Sequence, residues 1–111
     1  MSARLNISIW ISALLRRANS AGAFATIIRK GDELAGAVLV IVRGREPGGL
    51  RLYRPATNMQ GERIWLAGPP QSEMDINTAV EKRRAHDDDL WVVEIEDGQG
   101  RHFLTEDIED L

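Results

Sequence analysis

Two arginines and two aromatics in the middle of this chain have the spacing of a binding face. In Leu50–Arg54 and Arg63–Ala67, apolar and polar residues alternate with the period of two that a strand imposes. If Leu50, Leu52, Ile64 and Leu66 face a core, then Arg51, Tyr53, Arg63 and Trp65 face the other way. Cations interleaved with aromatic rings on one sheet face are what single-stranded nucleic acid or a phosphate ligand uses, through stacking and charge. The same four side chains also suit a sheet packed under a helix or against a second protein surface.

Other chemistry-bearing residues are sparse. His86 with Asp87-Asp88-Asp89 offers a nitrogen and three carboxylates. Adjacent residues in a turn do not converge on one ion, and calcium loops use alternate positions with a glycine, so a solvated helix stop is the favoured reading. Glu94 and Glu96 lie about 7 Å apart on one strand face, a separation paired carboxylates can use, though such alternation is routine on a wetted sheet. His102 has no carboxylate or nucleophile beside it and reads as a surface or edge histidine. Phosphate-loop, dinucleotide, nucleophile-elbow and zinc-helix motifs are all missing. No catalytic residue, metal site or cofactor is implied.

The elements that must hold these residues follow from periodicity. Ile7, Trp10, Ile11, Leu14, Leu15 and Ala18 form one helical stripe, with Arg16 and Arg17 in the last turns and Gly22 as a stop, predicting a helix over about 7–20. Phe24–Lys30 and Ala37–Arg43 are β-rich runs joined by Gly31-Asp32-Glu33, which predicts a hairpin. The second run is almost continuously apolar and asks for a central place in the sheet. A turn over Gly44–Gly49, the strand Leu50–Arg54, the polar loop Thr57–Gly61 and the strand Arg63–Ala67 complete a four-stranded antiparallel meander. Ser72 and Asp75 have capping-box spacing ahead of a helix over about 73–85. Leu90–Glu96, with Trp91, Val93 and Ile95 buried, and a return strand Arg101–Leu104 would close the fold, leaving Thr105–Leu111 as a fraying acidic tail. The class is α+β: a two-layer sheet with both helices on one face.

Bulk properties bound the answer further. The 111 residues make one domain, and 43% hydrophobic with 28% charged residues is globular composition. Without cysteine there is no disulfide framework, thiolate zinc site or cysteine nucleophile, which suits a reducing cytoplasm. Leu5–Leu15 is too short to span a bilayer and lacks the flanks of a signal peptide, so no membrane role is expected. Charge is sorted along the chain. Residues 1–63 hold ten cations and four acids, net +6, and residues 64–111 hold four and thirteen, net −9, for −3 in total. If the two parts neutralise each other in the fold, the split leaves no strong field for a polyanion, and a pI near 5.4 points the same way.

Several stretches resemble a known family: Ile9–Arg17, Gly22–Ala25, Lys30–Asp32 with Ala35–Val38, and above all Asp89–Leu104, Asp-Leu-Trp-Val-Val-Glu-Ile-Glu-Asp-Gly-Gln-Gly-Arg-His-Phe-Leu. Together they look like the short, uncharacterised, mainly alphaproteobacterial domain-of-unknown-function family 1491. The resemblance implies a small bacterial single-domain protein; it implies no activity and carries no functional residue over. The expectation is a cytoplasmic protein that binds another protein or itself. A nucleic-acid or phosphate-ligand binder using Arg51, Tyr53, Arg63 and Trp65 stands second, and an enzyme of unrecognised type third.

Overall fold

A computed structural model of the chain describes residues 6–46 and 49–111. The order is α1 (Ile7–Ser20), β1 (Phe24–Arg29), β2 (Val38–Arg43), β3 (Arg51–Thr57), β4 (Arg63–Ala67), α2 (Glu73–His86), β5 (Trp91–Glu96) and β6 (Ile108–Asp110). The class is α+β, as expected. Leu5 and part of the turn expected over Gly44–Gly49 lie outside the described residues.

Both helices begin and end where their sequences ask. Asn6 caps α1 by accepting the Ser8 N–H at 2.8 Å, and Gly22 follows at φ +94°, a conformation that glycine adopts without strain. In α2 the Ser72 hydroxyl accepts the Asp75 N–H at 3.1 Å.

The sheet runs β1-β5-β2-β3-β4-β6. This corrects the four-stranded meander: β2, β3 and β4 form one, but β5 inserts between β1 and β2, antiparallel to the first and parallel to the second. Gly31-Asp32 is therefore part of a crossover, not a hairpin turn. Asp32 donates its N–H to the Asp89 carbonyl, and its own carbonyl accepts the Trp91 indole N–H at 2.7 Å. A Cβ on Gly31 or Gly36 would collide with the Asp89 carbonyl, so the chain passes β5 only because both positions lack one.

Two further details differ. Arg101–Leu104 is not a strand, and the acidic tail does not fray: β6 pairs parallel with β4, opposing Ile108 to Trp65. The helices also cover opposite faces, giving three layers. Ile11, Leu14 and Ala18 of α1 meet Val40, Val42, Trp91, Val93 and Ile95. Ile76 and Val80 of α2 meet Leu39, Ile41, Leu50 and Val92. Because successive strand residues alternate in direction, burying both faces of a strand takes apolar residues at consecutive positions, as in Val38–Val42 of β2 and Trp91–Val93 of β5.

Candidate functional site

Strand alternation does put Arg51, Tyr53, Arg63 and Trp65 on one sheet face, since Tyr53 pairs with Ala67 and Thr57 with Arg63. That face lies under α1 and under the segment leading to β6. Tyr53 is 3% and Trp65 6% exposed, so neither ring offers solvent a stacking surface. Trp10 stacks on Trp65 with ring centroids 5.7 Å apart and planes 22° apart, and Glu106 accepts the Trp65 indole N–H at 2.9 Å. Arg63, two residues before Trp65 at the start of β4, is exposed.

Arg51 and Tyr53 instead meet His102, which sequence spacing left isolated. The Arg51 guanidinium lies 5.7 Å from the Tyr53 ring centre, and the His102 ring centre 5.4 Å from it. Burial pushes the Tyr53 hydroxyl above its ordinary value, with Arg51 opposing and Asp110 adding to the rise. Burial pushes His102 below its ordinary value, and the nearby Arg51 charge does the same.

These groups are held in structural bonds. Arg51 donates Nε to the Gly68 carbonyl at 2.8 Å and Nη2 to Asp110 at 2.9 Å. His102 Nδ1 accepts the Leu104 N–H at 2.9 Å, which places the neutral ring's proton on Nε2. Next to it Phe103 sits at φ +61°, a left-handed conformation that costs an aromatic residue about 1–3 kcal/mol.

The sorted charges meet across the sheet. Arg43 on β2 bridges Glu94 on β5 at 3.1 Å and Glu73 on α2 at 2.9 Å, and these hydrogen bonds raise its already high pKa. With Arg51–Asp110, two cations of the basic part thus pair with three acids of the acidic part. Strand order decides this, because it lays β5 against β2 and β6 against β4. Glu94 is consumed in the process, and Glu96 remains exposed opposite Phe24. Asp87, beside His86, caps α2 and accepts the Asp89 N–H, the helix-stop role expected of that acidic run. Among the described residues no three histidine or acidic side chains gather in the manner of a metal site.

The first edge of the sheet carries exposed apolar residues. Among the described residues β1 pairs only with β5, so its outer row of backbone N–H and C=O groups faces away from the sheet. Phe24, Ile27 and Ile28 on it are 65%, 41% and 57% exposed. The run Phe24–Ile28 has no charge or proline. The Asn19 side chain does bond the outer N–H and C=O of Ala25 at 2.9 and 3.4 Å, and the register breaks between Ile27 and Arg29, both devices that blunt a sheet edge. The opposite edge, β6, is three residues long and exposes Glu109 and Asp110. The sequence placed Phe24–Lys30 as a strand, as observed, but beside β2 and without singling it out as a contact surface.

The comparisons with known proteins agree with one another. The family model described as "Protein of unknown function (DUF1491)" matches residues 5–105. The chain is similar to a DUF1491 family protein from Caulobacter crescentus in its crystal structure, at 50% identity over 96% of this chain and 100% of that one, with a TM-score of 0.87. The NMR structure of a DUF1491 family protein from the same organism gives 49% identity, 97% and 99% coverage and a TM-score of 0.84. Protein Atu0922 from A. tumefaciens, solved in solution, is 36% identical over 98% of this chain and 100% of its own, with a TM-score of 0.79. No curated protein matches the chain.

Proposed function

The chain belongs to the DUF1491 family of proteins of unknown function, and on that footing we propose that it is a cytoplasmic interaction protein whose contact surface is the β1 edge. The observation that carries this reading is an edge strand, held on its outer side at Ala25 by the Asn19 side chain, that bears three exposed large apolar residues. Such a strip gives affinity to a partner surface through the apolar area it removes from water. The state of the titratable groups supports binding over catalysis. Glu94, Asp97, Arg51 and His102 Nδ1 are all engaged in bonds that hold the fold. The absence of cysteine suits a reducing compartment, and no helix among the described residues is long and apolar enough to cross a membrane.

The test is affinity purification from native lysate at low and moderate salt, with and without nuclease, comparing the native chain with Ile28→Glu. A protein recovered by the native chain after nuclease treatment, and lost with Ile28→Glu, supports the β1 contact. Recovery that disappears with nuclease and weakens steeply with salt would replace it with polyanion binding, because phosphate contacts release counterions. Equal recovery by both chains would place the contact elsewhere.

A further inference from the structure

We infer that the strip of β4 covered by β6 is a docking site for an extended segment of another protein, one that reads acid-x-Ile-apolar-acid and displaces the chain's own tail. This second surface lies at the opposite edge of the sheet from β1 and goes beyond the reading above. The seated tail shows what the site recognises. Ile108 lies opposite Trp65 and packs against the core cluster to which Trp65 belongs. Glu106 accepts the Trp65 indole N–H at 2.9 Å, and Asp110 accepts Nη2 of Arg51 at 2.9 Å. Main-chain bonds set the register. The Trp65 N–H is donated to the Asp107 carbonyl and the Leu111 N–H to the Ala67 carbonyl, both at 2.9 Å.

On its other face the tail fits poorly. Glu109 pairs with Leu66 and so shares the α2 side of the sheet with it. There α2 packs on Leu39, Ile41, Leu50 and Val92. Beyond those residues a hollow of about 350 Å³ is lined by Ala56, Met59, Ile64, Leu66 and Glu109, among others, and Met59 is 99% exposed. The tail thus sets a carboxylate beside an apolar wall, where a large apolar side chain would remove more surface from water. Nor is the tail firmly held. Only three residues pair, Glu109 and Asp110 are exposed, and an ion pair as open as Arg51–Asp110 adds little. Terminal segments held this way open at low free-energy cost while the sheet behind them stays folded. An incoming segment with leucine, isoleucine or methionine in the place of Glu109 keeps the contacts of the tail and fills the hollow. A segment without the two acids would leave Arg51 and the Trp65 indole N–H short of acceptors.

Two peptides of residues 105–111, one native and one carrying Glu109→Leu, test this when titrated into the full chain and followed by the Trp65 indole N–H signal in NMR. The Glu109→Leu peptide should bind about tenfold more tightly than the native one, the gain expected from burying one leucine side chain. Substitutions in the chain should move that affinity in opposite directions. Ile108→Asp unseats the tail and should raise it by about tenfold, because a tethered competitor of high effective concentration is removed. Glu109→Leu lets the chain's own tail fill the hollow and should lower it by about tenfold. A Glu109→Leu peptide that leaves the indole signal of the native chain unmoved at millimolar concentration overturns the proposal. So does one that binds the native and Glu109→Leu chains equally, since it then binds elsewhere. If Ile108→Asp compromises folding, the native and Glu109→Leu chains decide alone, because Glu109→Leu adds apolar burial without touching Ile108 or Asp110. Either result leaves the β1 contact to its own test.

Discussion

Arg17, near the end of α1, donates two hydrogen bonds to the backbone carbonyl of Phe103, from Nε at 3.2 Å and Nη2 at 2.9 Å. The residue so held is the one with the left-handed backbone. Arg101 stands over the Phe103 ring at 5.0 Å, and the Leu104 N–H is tied to His102. A strained residue persists only where its surroundings over-determine it, and here both sides and the carbonyl are held. Replacing Arg17 by Met keeps much of the stem and removes both bonds. The expected loss is about 1.5–3 kcal/mol in urea unfolding, the range for hydrogen bonds to a charged group. Arg17→Lys, which cannot offer the two-pronged fork, should recover only part of it.

Local chemistry was legible in the sequence and long-range pairing was not. The stripe Ile7, Trp10, Ile11, Leu14, Leu15, Ala18 and the caps at Ser72 and Gly22 depend on residues a few positions apart, and each acts as expected. Strand alternation likewise put Tyr53 and Trp65 on one face correctly. It could not say what covers that face, because Leu50 and Ile64 on the other are just as apolar. Nor could the turn chemistry of Gly31-Asp32 separate a hairpin from a crossover, since both need a tight, Cβ-free bend. The deciding group, the Trp91 indole bonded to the Asp32 carbonyl, lies 59 residues away.

If Trp65 is core and not a stacking platform, its removal is felt in stability. Trp65→Ala deletes the partner of Trp10 and leaves a void between α1 and the sheet, at a cost of about 3–5 kcal/mol. Chemical unfolding monitored by circular dichroism measures it. A change within about 0.5 kcal/mol, the range of ordinary surface substitutions, would return Trp65 to the surface.

The crossover makes a sharper claim about glycine. Gly36→Ala drives a methyl group into the Asp89 carbonyl, against backbone that cannot swing aside, and should cost about 1–3 kcal/mol or more. Gly44→Ala, with nothing within 4 Å of its added carbon, should change stability by about 0.5 kcal/mol or less. Equal thermal shifts in the two variants would mean that β5 does not run past residues 31–36.

His102 must stay neutral to keep Nδ1 as an acceptor for Leu104. Its folded pKa lies below the ordinary 6.5, because burial and then Arg51 disfavour the charged ring. The unfolded chain therefore binds the proton first. Stability from this group is complete above about pH 6.5 and declines as pH falls through the folded value. A proton NMR titration should find the His102 midpoint below 6.5, and His102→Gln should flatten the stability profile across that interval.

Asp97 operates in a lower window. It is buried between β5 and the turn that follows, and its carboxylate accepts Nε and Nη2 of Arg101 at 3.0 and 2.9 Å and the Arg101 N–H at 2.8 Å. Those bonds, the side-chain ones foremost, bring its pKa from 3.8 to about 2. Here the folded form releases its proton more readily than the unfolded one. The contribution is thus fully present above about pH 4 and vanishes as pH falls toward about 2. Asp97→Asn cannot carry the charge at any pH, so its deficit against the native chain should be constant from neutrality down to about pH 5 and then shrink. Urea midpoints at about pH 6, 4 and 2.5 read this directly. A deficit that stays constant to the lowest pH would show that Asp97 holds the turn by shape and neutral hydrogen bonding alone, without its charge.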